Sequence, residues 1–346
     1  MATVARRGDE RLAGATRLSR LLLRPELGAV VGAIAVFAFF ASQSVAFRSP
    51  TGIANWLDPA ALLGIMAVAV SLLMIGGEFD LSAGVMTGTT GLTTGILSAE
   101  LGWNIWLAMG ASLLLALAIG FGNGMVVTRT GLHSFIITLG TFLMLQGINL
   151  GVTRLVTGSV QVSDIDEAAG YELARAVFAS SVQIGGVDVR VSIFWWLGIL
   201  ALATWILLRT GVGNWIFSAG GDPKSARNAG VPAARTKVTL FMATSGAAWL
   251  VGNITALRLA SMQANTGVGQ ELIYIACAVI GGCLLTGGYG SAIGASLGAL
   301  IFGMATKGIV YVGWNSTWFL FFLGAMLLLA VLANNFVRRY AEESRK

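Results

Sequence analysis

The chain carries a short polar stretch, GGDPKSARNAG at residues 220–230, between two long apolar segments. Asp222 is a favourable helix N-cap, and Pro223 suits the first helical position because its missing N–H would have no partner there. Gly230 can supply the left-handed residue that commonly ends a helix. The stretch therefore predicts one helix of about two turns. A helix this short is marginal in water, so we expect it to rest against another protein.

The composition is that of a membrane protein. Only 11% of residues are charged, 56% are hydrophobic and 46 of 346 are glycine, which close-packed transmembrane helices use. The predicted fold class is an all-α polytopic membrane protein with about ten transmembrane helices. The glycine-rich stretches near 76–95 and 281–298 each fit either a full span or a broken, re-entrant helix. Apolar runs long enough to span occur at about 28–47, 59–76, 81–100, 104–128, 134–153, 191–209, 237–257, 270–286, 291–311 and 317–337.

The basic residues set the orientation. With both termini in the cytoplasm, the cytoplasmic segments hold most of the basic residues, as the positive-inside rule requires. The organisation predicted is an Arg-rich segment at 1–27, a transmembrane domain at 28–337 with an acidic outside loop at about 154–190, and a tail at 338–346. The net charge of +6 therefore reflects topology and gives no argument for nucleic acid. The cytoplasmic basic residues are Arg6, Arg7, Arg11, Arg17, Arg20, Arg24, Arg129, Arg209, Lys224, Arg227, Arg235, Lys237, Arg338, Arg339, Arg345 and Lys346.

Residues for catalysis or metal binding are scarce. The single histidine, His133, has no carboxylate or cysteine at ligand spacing. Cys277 and Cys283 lie six residues apart in one predicted span, on different faces, so neither a disulfide nor a metal site is expected. The stretch GGYGS at 287–291 lacks the lysine of a phosphate loop. We therefore predict no metal site, no nucleotide site and no enzymatic activity on this chain.

Two stretches within or beside the membrane are unusual. GGEFDLSAG at 76–84 places Glu78 and Asp80 between apolar runs, where carboxylates should face a cavity, a polar partner or the membrane edge. Asp80 and Ser82 fit either a helix cap or contact with a substrate. Small residues in this stretch and at 281–290 favour close helix packing, and two glycine pairs, 76–77 and 287–288, close spans of one direction and indicate internal duplication. The predicted packing residues are Gly76, Gly77, Gly281, Gly282, Gly287, Gly288 and Gly290.

Four motifs in this order, GGEFDLSAG at 76–84, SFIITLGT at 134–141, the 220–230 stretch and residues 271–290, together resemble the ribose-type ABC transporter permeases. These are membrane subunits of bacterial sugar importers, and the likeness covers about 55–337. Many members read Gly-Gly-Ile-Asp-Leu-Ser, whereas here Glu78 and Phe79 precede Asp80, which leaves the role of Glu78 open.

The resemblance implies a subunit of the bacterial inner membrane with several partners. Two permease copies, or one copy and a paralogue, would form the pathway. An extracytoplasmic solute-binding protein would deliver sugar, and a separate ATPase chain would hold ATP-Mg, so no cofactor is expected on this chain. The ATPase would push on a cytoplasmic coupling helix, which by matching position is 222–230, with Asp222, Pro223, Ala226, Arg227 and Gly230.

A neutral sugar already selected by a binding protein needs only weak polar contacts along the pathway. The spans supply a modest set of polar side chains for this, each of which equally fits a helix–helix hydrogen bond. With Asp80 and Ser82, the candidates are Asn123, Ser134, Thr138, Gln146 and Asn149.

Two alternatives stay open. A branched-chain amino-acid ABC permease would share this architecture. An ion-coupled secondary transporter would need ionisable residues deep in the spans, and only Glu271, Lys307 and Arg258 approach that. Pentose, hexose, polyol and furanosyl solutes are not distinguished by the sequence.

Overall fold

The structure, a computed structural model, describes residues 26–319 and six further residues, 321, 322, 324, 325, 328 and 332. The predicted tail and most of the predicted segment 1–27 and of the last span, 317–337, lie outside these residues. The helices are α1 (Glu26–Gln43), α2 (Pro50–Ile75), α3 (Ser82–Gly95), α4 (Ile105–Thr130), α5 (Ser134–Thr157), α6 (Tyr171–Phe178), α7 (Val191–Arg209), α8 (Gly211–Gly221), α9 (Pro223–Asn228), α10 (Ala233–Leu259), α11 (Gln270–Ile280) and α12 (Ala292–Tyr311).

The helices confirm an all-α polytopic membrane protein. Within the described residues, seven helices are long and apolar enough to cross a bilayer, namely α1, α2, α4, α5, α7, α10 and α12. The cores of α2, α10 and α12 are mostly buried in the protein, whereas α1, α4, α5 and α7 leave most of their apolar surface exposed. The fold is therefore a central group of helices with a peripheral layer whose apolar faces suit lipid or another membrane subunit.

The two glycine-rich stretches are interrupted helices. α3 has 14 residues and continues through a π-helical turn, Ile96–Glu100, while α11 has only 11 residues. At 1.5 Å per residue, α11 reaches about 16 Å, half of a ~30 Å hydrocarbon core. Of the two alternatives left open for this stretch, the structure has the broken helix, because Gly281 and Gly282 end α11 before the apolar run at 270–286 is complete.

The chain before α11 descends beside α3 without regular helix. A Cβ atom at Gly91, Gly88 or Gly84 would strike Met262, Thr266 or Gly267 respectively, so this segment lies directly against the glycine face of α3. Glu271 lies at the same place, because its Oε2 would be 2.2 Å from a Cβ at Gly84. Small residues on α3 thus admit a second backbone into the interior of the bundle.

The little sheet present lies in the segment predicted as the outside loop and beside the end of α10. β1 (Gln161–Val162) pairs antiparallel with β4 (Met262–Gln263), and β2 (Ser181–Ile184) forms a hairpin with β3 (Val187–Arg190). Between them, the amphipathic α6 buries Tyr171, whose hydroxyl donates a hydrogen bond to the Leu257 carbonyl at 2.7 Å. Burial raises the pKa of Tyr171. This segment is thereby fixed to the end of α10.

Candidate functional site

The polar stretch at 220–230 forms a short capped helix, α9 (Pro223–Asn228). The Asp222 Oδ1 atom accepts hydrogen bonds from the N–H groups of Lys224 and Ser225 at 3.0 and 3.1 Å, and Pro223 is the first helical residue. The Ser225 hydroxyl donates to Asp222 Oδ2 at 2.6 Å, and this bond is the main reason that the pKa of Asp222 is lowered. The helix start is therefore fixed by its own residues.

The other end of α9 is closed by a left-handed glycine. Gly230 has φ of +81°, and the Val231 N–H bonds back to the Ala226 carbonyl at 3.0 Å, as in a Schellman motif. Ala226 is buried, whereas Arg227 is exposed. The helix thus has one attached side and one free side that carries positive charge. Whether this free side receives an ATPase stays a prediction.

Three glycine pairs from distant parts of the chain meet beside α9. Gly288 donates its N–H to the Ile75 carbonyl at 2.8 Å. A Cβ atom at Gly220 would lie 1.8 Å from the Ile75 carbonyl oxygen, and one at Gly287 would lie 2.7 Å from Gly77 Cα, so side chains are excluded on both. We call the contact among pairs 76–77, 220–221 and 287–288 the glycine junction.

The junction refines the predicted packing role of the glycines. Packing roles are predicted from the sequence for Gly76, Gly77, Gly287 and Gly288, whereas Gly220 and Gly221 are expected only to flank the short helix. Gly77, Gly282, Gly287 and Gly288 all have φ between +72° and +89°, so they form turns between helices. Gly281 packs against Gly294, and Gly290 against Cys283. The signal in the sequence was the recurrence of Gly-Gly itself.

Beyond the junction, the connection from α2 to α3 is fastened to α5 by its backbone. The Phe79 N–H donates to the Ser134 hydroxyl and the Leu81 N–H to the Thr138 hydroxyl, both at 3.0 Å. These are two of the predicted pathway side chains, and in this structure they hold the α2–α3 turn. Since Thr138 is one turn along α5 from Ser134, the turn runs beside α5 and α3 begins inside the bundle.

Asp80 and Ser82 belong to a buried polar network. Asp80 Oδ1 accepts bonds from the Ser82 N–H and hydroxyl at 2.8 and 2.5 Å. Asn123 donates from Nδ2 to Ser82 Oγ at 3.1 Å and accepts from the Thr141 hydroxyl at 2.6 Å. The second carboxylate oxygen of Asp80 is buried and has no hydrogen-bond partner among the described residues. The cap interpretation of Asp80 therefore accounts for one oxygen and leaves the other unused.

The network borders a cavity of about 540 Å³ between α3, α4 and α5. Asn123 and Asn149, both predicted from the sequence, line it, and so does Thr153. Within the described structure, Asn149 Nδ2 and Thr153 Oγ1 are buried without partners. Most of the wall is apolar, from residues such as Ile119 and Ile148. The cavity thus offers a few unused polar atoms on an apolar surface.

Gln146 is a predicted candidate that lies neither in the polar network of Asp80 nor on the cavity wall. It is half-buried and does not line the cavity, whereas Thr141 and Thr153, which are not among the predicted candidates, do. The missed signal is the spacing of α5, because Ser134, Thr138 and Thr141 follow i, i+4, i+7 and share one helix face.

Two ion pairs connect α10 to the α2 side of the bundle at opposite ends. Lys237 Nζ pairs with Glu78 Oε1, and Arg258 Nη1 pairs with Asp58 Oδ2 at 3.0 Å. Ser192 joins the second pair by bonds to both partners. Lys237 and Arg258 are separated by 21 residues of one helix, or about 30 Å. Neither pair was predicted from the sequence.

No metal centre is present among the described residues, since no three His, Cys, Asp or Glu side chains converge. Cys277 and Cys283 are free and buried. What the described chain does offer is a multi-pass helical bundle, a capped surface helix, and a mostly apolar cavity that carries a few polar atoms and adjoins the polar network of Asp80.

Comparison with known proteins shows the family to which the chain belongs. Residues 52–331 match the family described as branched-chain amino acid transport system / permease component, and the chain belongs to that family. It is 30% identical over 315 residues to the ribose import permease protein RbsC of Escherichia coli K12, covering 90% of this chain and 94% of that protein. No solved structure matches.

Two further relatives carry other solutes in their names. The xylose transport system permease protein XylH of Escherichia coli K12 is 29% identical over 364 aligned positions, covering 90% of this chain and 91% of its own length. The autoinducer 2 import system permease protein LsrC of Salmonella typhi is 28% identical over 308, covering 89% and 84%. The resemblance to the sugar ABC permeases is thus confirmed, and so is a multi-pass membrane transport subunit.

Proposed function

We propose that this chain is the pathway-forming permease subunit of an ATP-driven importer for a neutral, polyhydroxylated solute in the bacterial inner membrane. The observation that carries the proposal is the position of α9. Its buried side is held by the protein, its free side is basic, and its N-terminal flank enters the glycine junction at the foot of the polar turn. A push on α9 is therefore delivered next to the turn that carries Asp80.

The cavity between α3, α4 and α5 supports the pathway assignment. Asn149 and Thr153 present unpartnered polar atoms there, which suit transient contact with hydroxyl groups. Apolar walls keep such contacts few, and a solute that must leave again requires weak binding. Neighbouring side chains on α5, such as Leu143 and Ile148, are exposed, so a second permease copy or a paralogue would complete the wall.

Energy would come from other chains. A separate ATPase with ATP-Mg would close and move α9, and the paired bundles would change between outward-facing and inward-facing states. An extracytoplasmic binding protein would deliver the solute to the outer face. The permease itself would perform no covalent chemistry, and its work would be a change in access.

The name of the matched family keeps a branched-chain amino-acid permease as the second candidate. The names of three relatives, which specify ribose, xylose and autoinducer 2, favour sugar-like solutes instead. An ion-coupled transporter would have to use Asp80 or Glu271, because Glu78 and the half-buried Asp58 are paired with cations.

The test is uptake in reconstituted vesicles that contain the permease, its ATPase and its binding protein. We expect ATP-dependent uptake of a pentose, hexose or related polyol that needs all three components. Uptake of leucine and of no sugar would move the substrate to the amino-acid class. Uptake driven by a proton or sodium gradient without ATP would reject the proposal.

A further inference from the structure

Glu78 is the residue at which this chain departs from the Gly-Gly-Ile-Asp-Leu-Ser pattern, and the structure gives it a partner. Its carboxylate pairs with Lys237, and the two side chains are 11% and 14% exposed. Lys237 lies in the second turn of α10, the helix that follows α9 directly. A largely buried charge persists only with its partner, so the pair fixes this contact strongly.

Other contacts on the same turn come from the same segment. Leu240, three residues after Lys237, packs against Gly76, because a Cβ there would lie 2.6 Å from its Cδ1 atom. Gly220, before α9, lies against the Ile75 carbonyl on the other side. The 75–78 turn is therefore contacted by residues on both sides of α9 in the sequence, namely Gly220 before the short helix and Lys237 and Leu240 after it.

The 75–78 turn leads directly into the Asp80 segment, which is bonded to α5. One residue beyond Glu78, the Phe79 N–H is bonded to Ser134, and Asp80 follows with its bonds to Ser82. The contacts of Gly76 and Glu78 with the α9–α10 segment are thus followed in the chain, without interruption, by the contact of Phe79 with α5. These contacts thus form a continuous path from the start of α10 through Glu78 to the segment beside the cavity.

We propose that the Glu78–Lys237 ion pair is a positioning element that couples movement of α9 and α10 to the Asp80 segment of the pathway. The proposal rests on the proposed function, since it needs an ATPase that moves α9. Glu78 and Lys237 touch neither solute nor nucleotide, and they act by keeping the turn and the helix together.

The chain supplies a matched control in the Asp58–Arg258 pair. It also joins α2 to α10 and is also mostly buried, but it lies at the end of α10 away from α9. Loss of either carboxylate leaves one cation without its carboxylate partner, so the two changes are alike in their effect on folding, except that Arg258 keeps its bond to the Ser192 hydroxyl. The two changes differ in position, because the Glu78–Lys237 contact lies between α9 and the pathway and the Asp58–Arg258 contact does not.

The experiment compares uptake per ATP hydrolysed in reconstituted complexes. We expect Glu78→Gln and Lys237→Met each to lower this ratio about fivefold or more, the lower range of measured coupling effects. Asp58→Asn should leave it unchanged. The exchange Glu78→Lys with Lys237→Glu should restore the ratio, because it rebuilds the pair with opposite polarity, whereas a merely structural role for one side chain would not be rescued.

A single variant that fails to fold would be replaced by Glu78→Gln with Lys237→Met, which removes both charges and leaves none unpaired. Uptake per ATP at the wild-type level in this double variant would overturn the inference while leaving the proposed function intact. A wild-type complex without ATP-driven uptake would overturn the proposed function and this inference with it.

Discussion

Gly76 and Gly281 end their helices with the same backbone geometry, at φ −68° and ψ −1° for Gly76 and φ −67° and ψ −1° for Gly281. Each is followed by a left-handed glycine, Gly77 or Gly282, and then by an N–H that bonds back five residues. The α2–α3 and α11–α12 connections are therefore built alike. This replaces the sequence-based pairing of 76–77 with 287–288, because the equivalent of the first pair is 281–282.

The repeated connections serve different purposes in the fold. After Gly77 the chain enters the bundle and starts α3, whereas after Gly282 it makes a second glycine turn that returns to the Ile75 carbonyl. The α2–α3 connection thus carries the polar residues, and the α11–α12 connection packs against it in the glycine junction. The α9 flank completes the contact, so both connections meet where the proposed coupling segment begins.

Two adjacent glycines provide a steric test of the junction. A Cβ at Gly220 would lie 1.8 Å from the Ile75 carbonyl oxygen, whereas the nearest atom to a Cβ at Gly221 is 3.9 Å away. Gly220→Ala should lower the stability of the purified permease by about 1–3 kcal/mol or more, since backbone has to move. Gly221→Ala should be neutral within about 0.5 kcal/mol. Thermal unfolding in detergent checks both, and equal melting temperatures would contradict the described contact.

The cap of α9 gives a test of coupling. Asp222→Ala removes the acceptor for the Lys224 and Ser225 N–H groups, and we expect uptake to fall about fivefold or more. Asp222→Asn keeps an acceptor oxygen and should retain uptake. Arg227→Glu with Gly230→Pro removes both the exposed charge and the helix end, and should uncouple ATP hydrolysis from uptake. Wild-type transport in that double variant would contradict the coupling-helix assignment.

The lowered pKa of Asp222 predicts how pH acts on this cap. Because the carboxylate accepts hydrogen bonds in the folded state, its stabilising effect is complete above the ordinary pKa of 3.8 and is lost as pH falls through the lowered value. The ratio of wild-type to Asp222→Asn uptake should therefore be constant between about pH 6 and 8. A ratio that declines toward the acid end of this range would show that Asp222 titrates there.

How far the sequence predicted the molecule depends on the range of the interactions. The cap of α9 is local, so Asp222, Pro223 and Gly230 were identified from residue type and spacing alone. The ion pair of Glu78 joins residues 159 positions apart, and the contact of Gly220 with Ile75 joins residues that are nearly as far apart in the sequence. Such pairings depend on tertiary packing, and no periodicity encodes them.

In the candidate site too, local features could be predicted from the sequence and tertiary contacts could not. Asn123 and Asn149 are predicted as polar side chains that could give a neutral sugar weak contacts, yet Gln146 is predicted on the same ground and lies off the cavity. Helix face, rather than residue type, separates them. The face of α5 was open to prediction from its 3.6-residue period, and the cavity was not, because it also needs α3 and α4.

The cavity residues separate a role in transport from a role in folding. Asn149→Leu removes a group with no hydrogen-bond partner in the described structure, so stability should change by less than about 1 kcal/mol. Asn123→Leu removes the amide that donates to the Ser82 hydroxyl and accepts from the Thr141 hydroxyl, and should cost about 1–3 kcal/mol. We expect Asn149→Leu to alter uptake despite a wild-type melting temperature. Unaltered uptake at all solute concentrations would remove Asn149 from the pathway.

Topology is tested by single cysteines at Ser163, Ser225 and Ser344 in a background without Cys277 and Cys283. The long apolar helix α7 lies between positions 163 and 225, so they should be on opposite sides of the membrane. The distribution of basic residues places 225, and the predicted tail at 344, in the cytoplasm.

A membrane-impermeant thiol reagent should therefore label position 163 in intact cells, and positions 225 and 344 only after the membrane is opened. Position 163 is the decisive one, because β1 ties its neighbours to the segment that follows α10. If position 163 were labelled only from the cytoplasmic side, both β1 and the segment that follows α10 would lie on the cytoplasmic side of the membrane. Such a result would also remove α9 from the side where an ATPase can reach it.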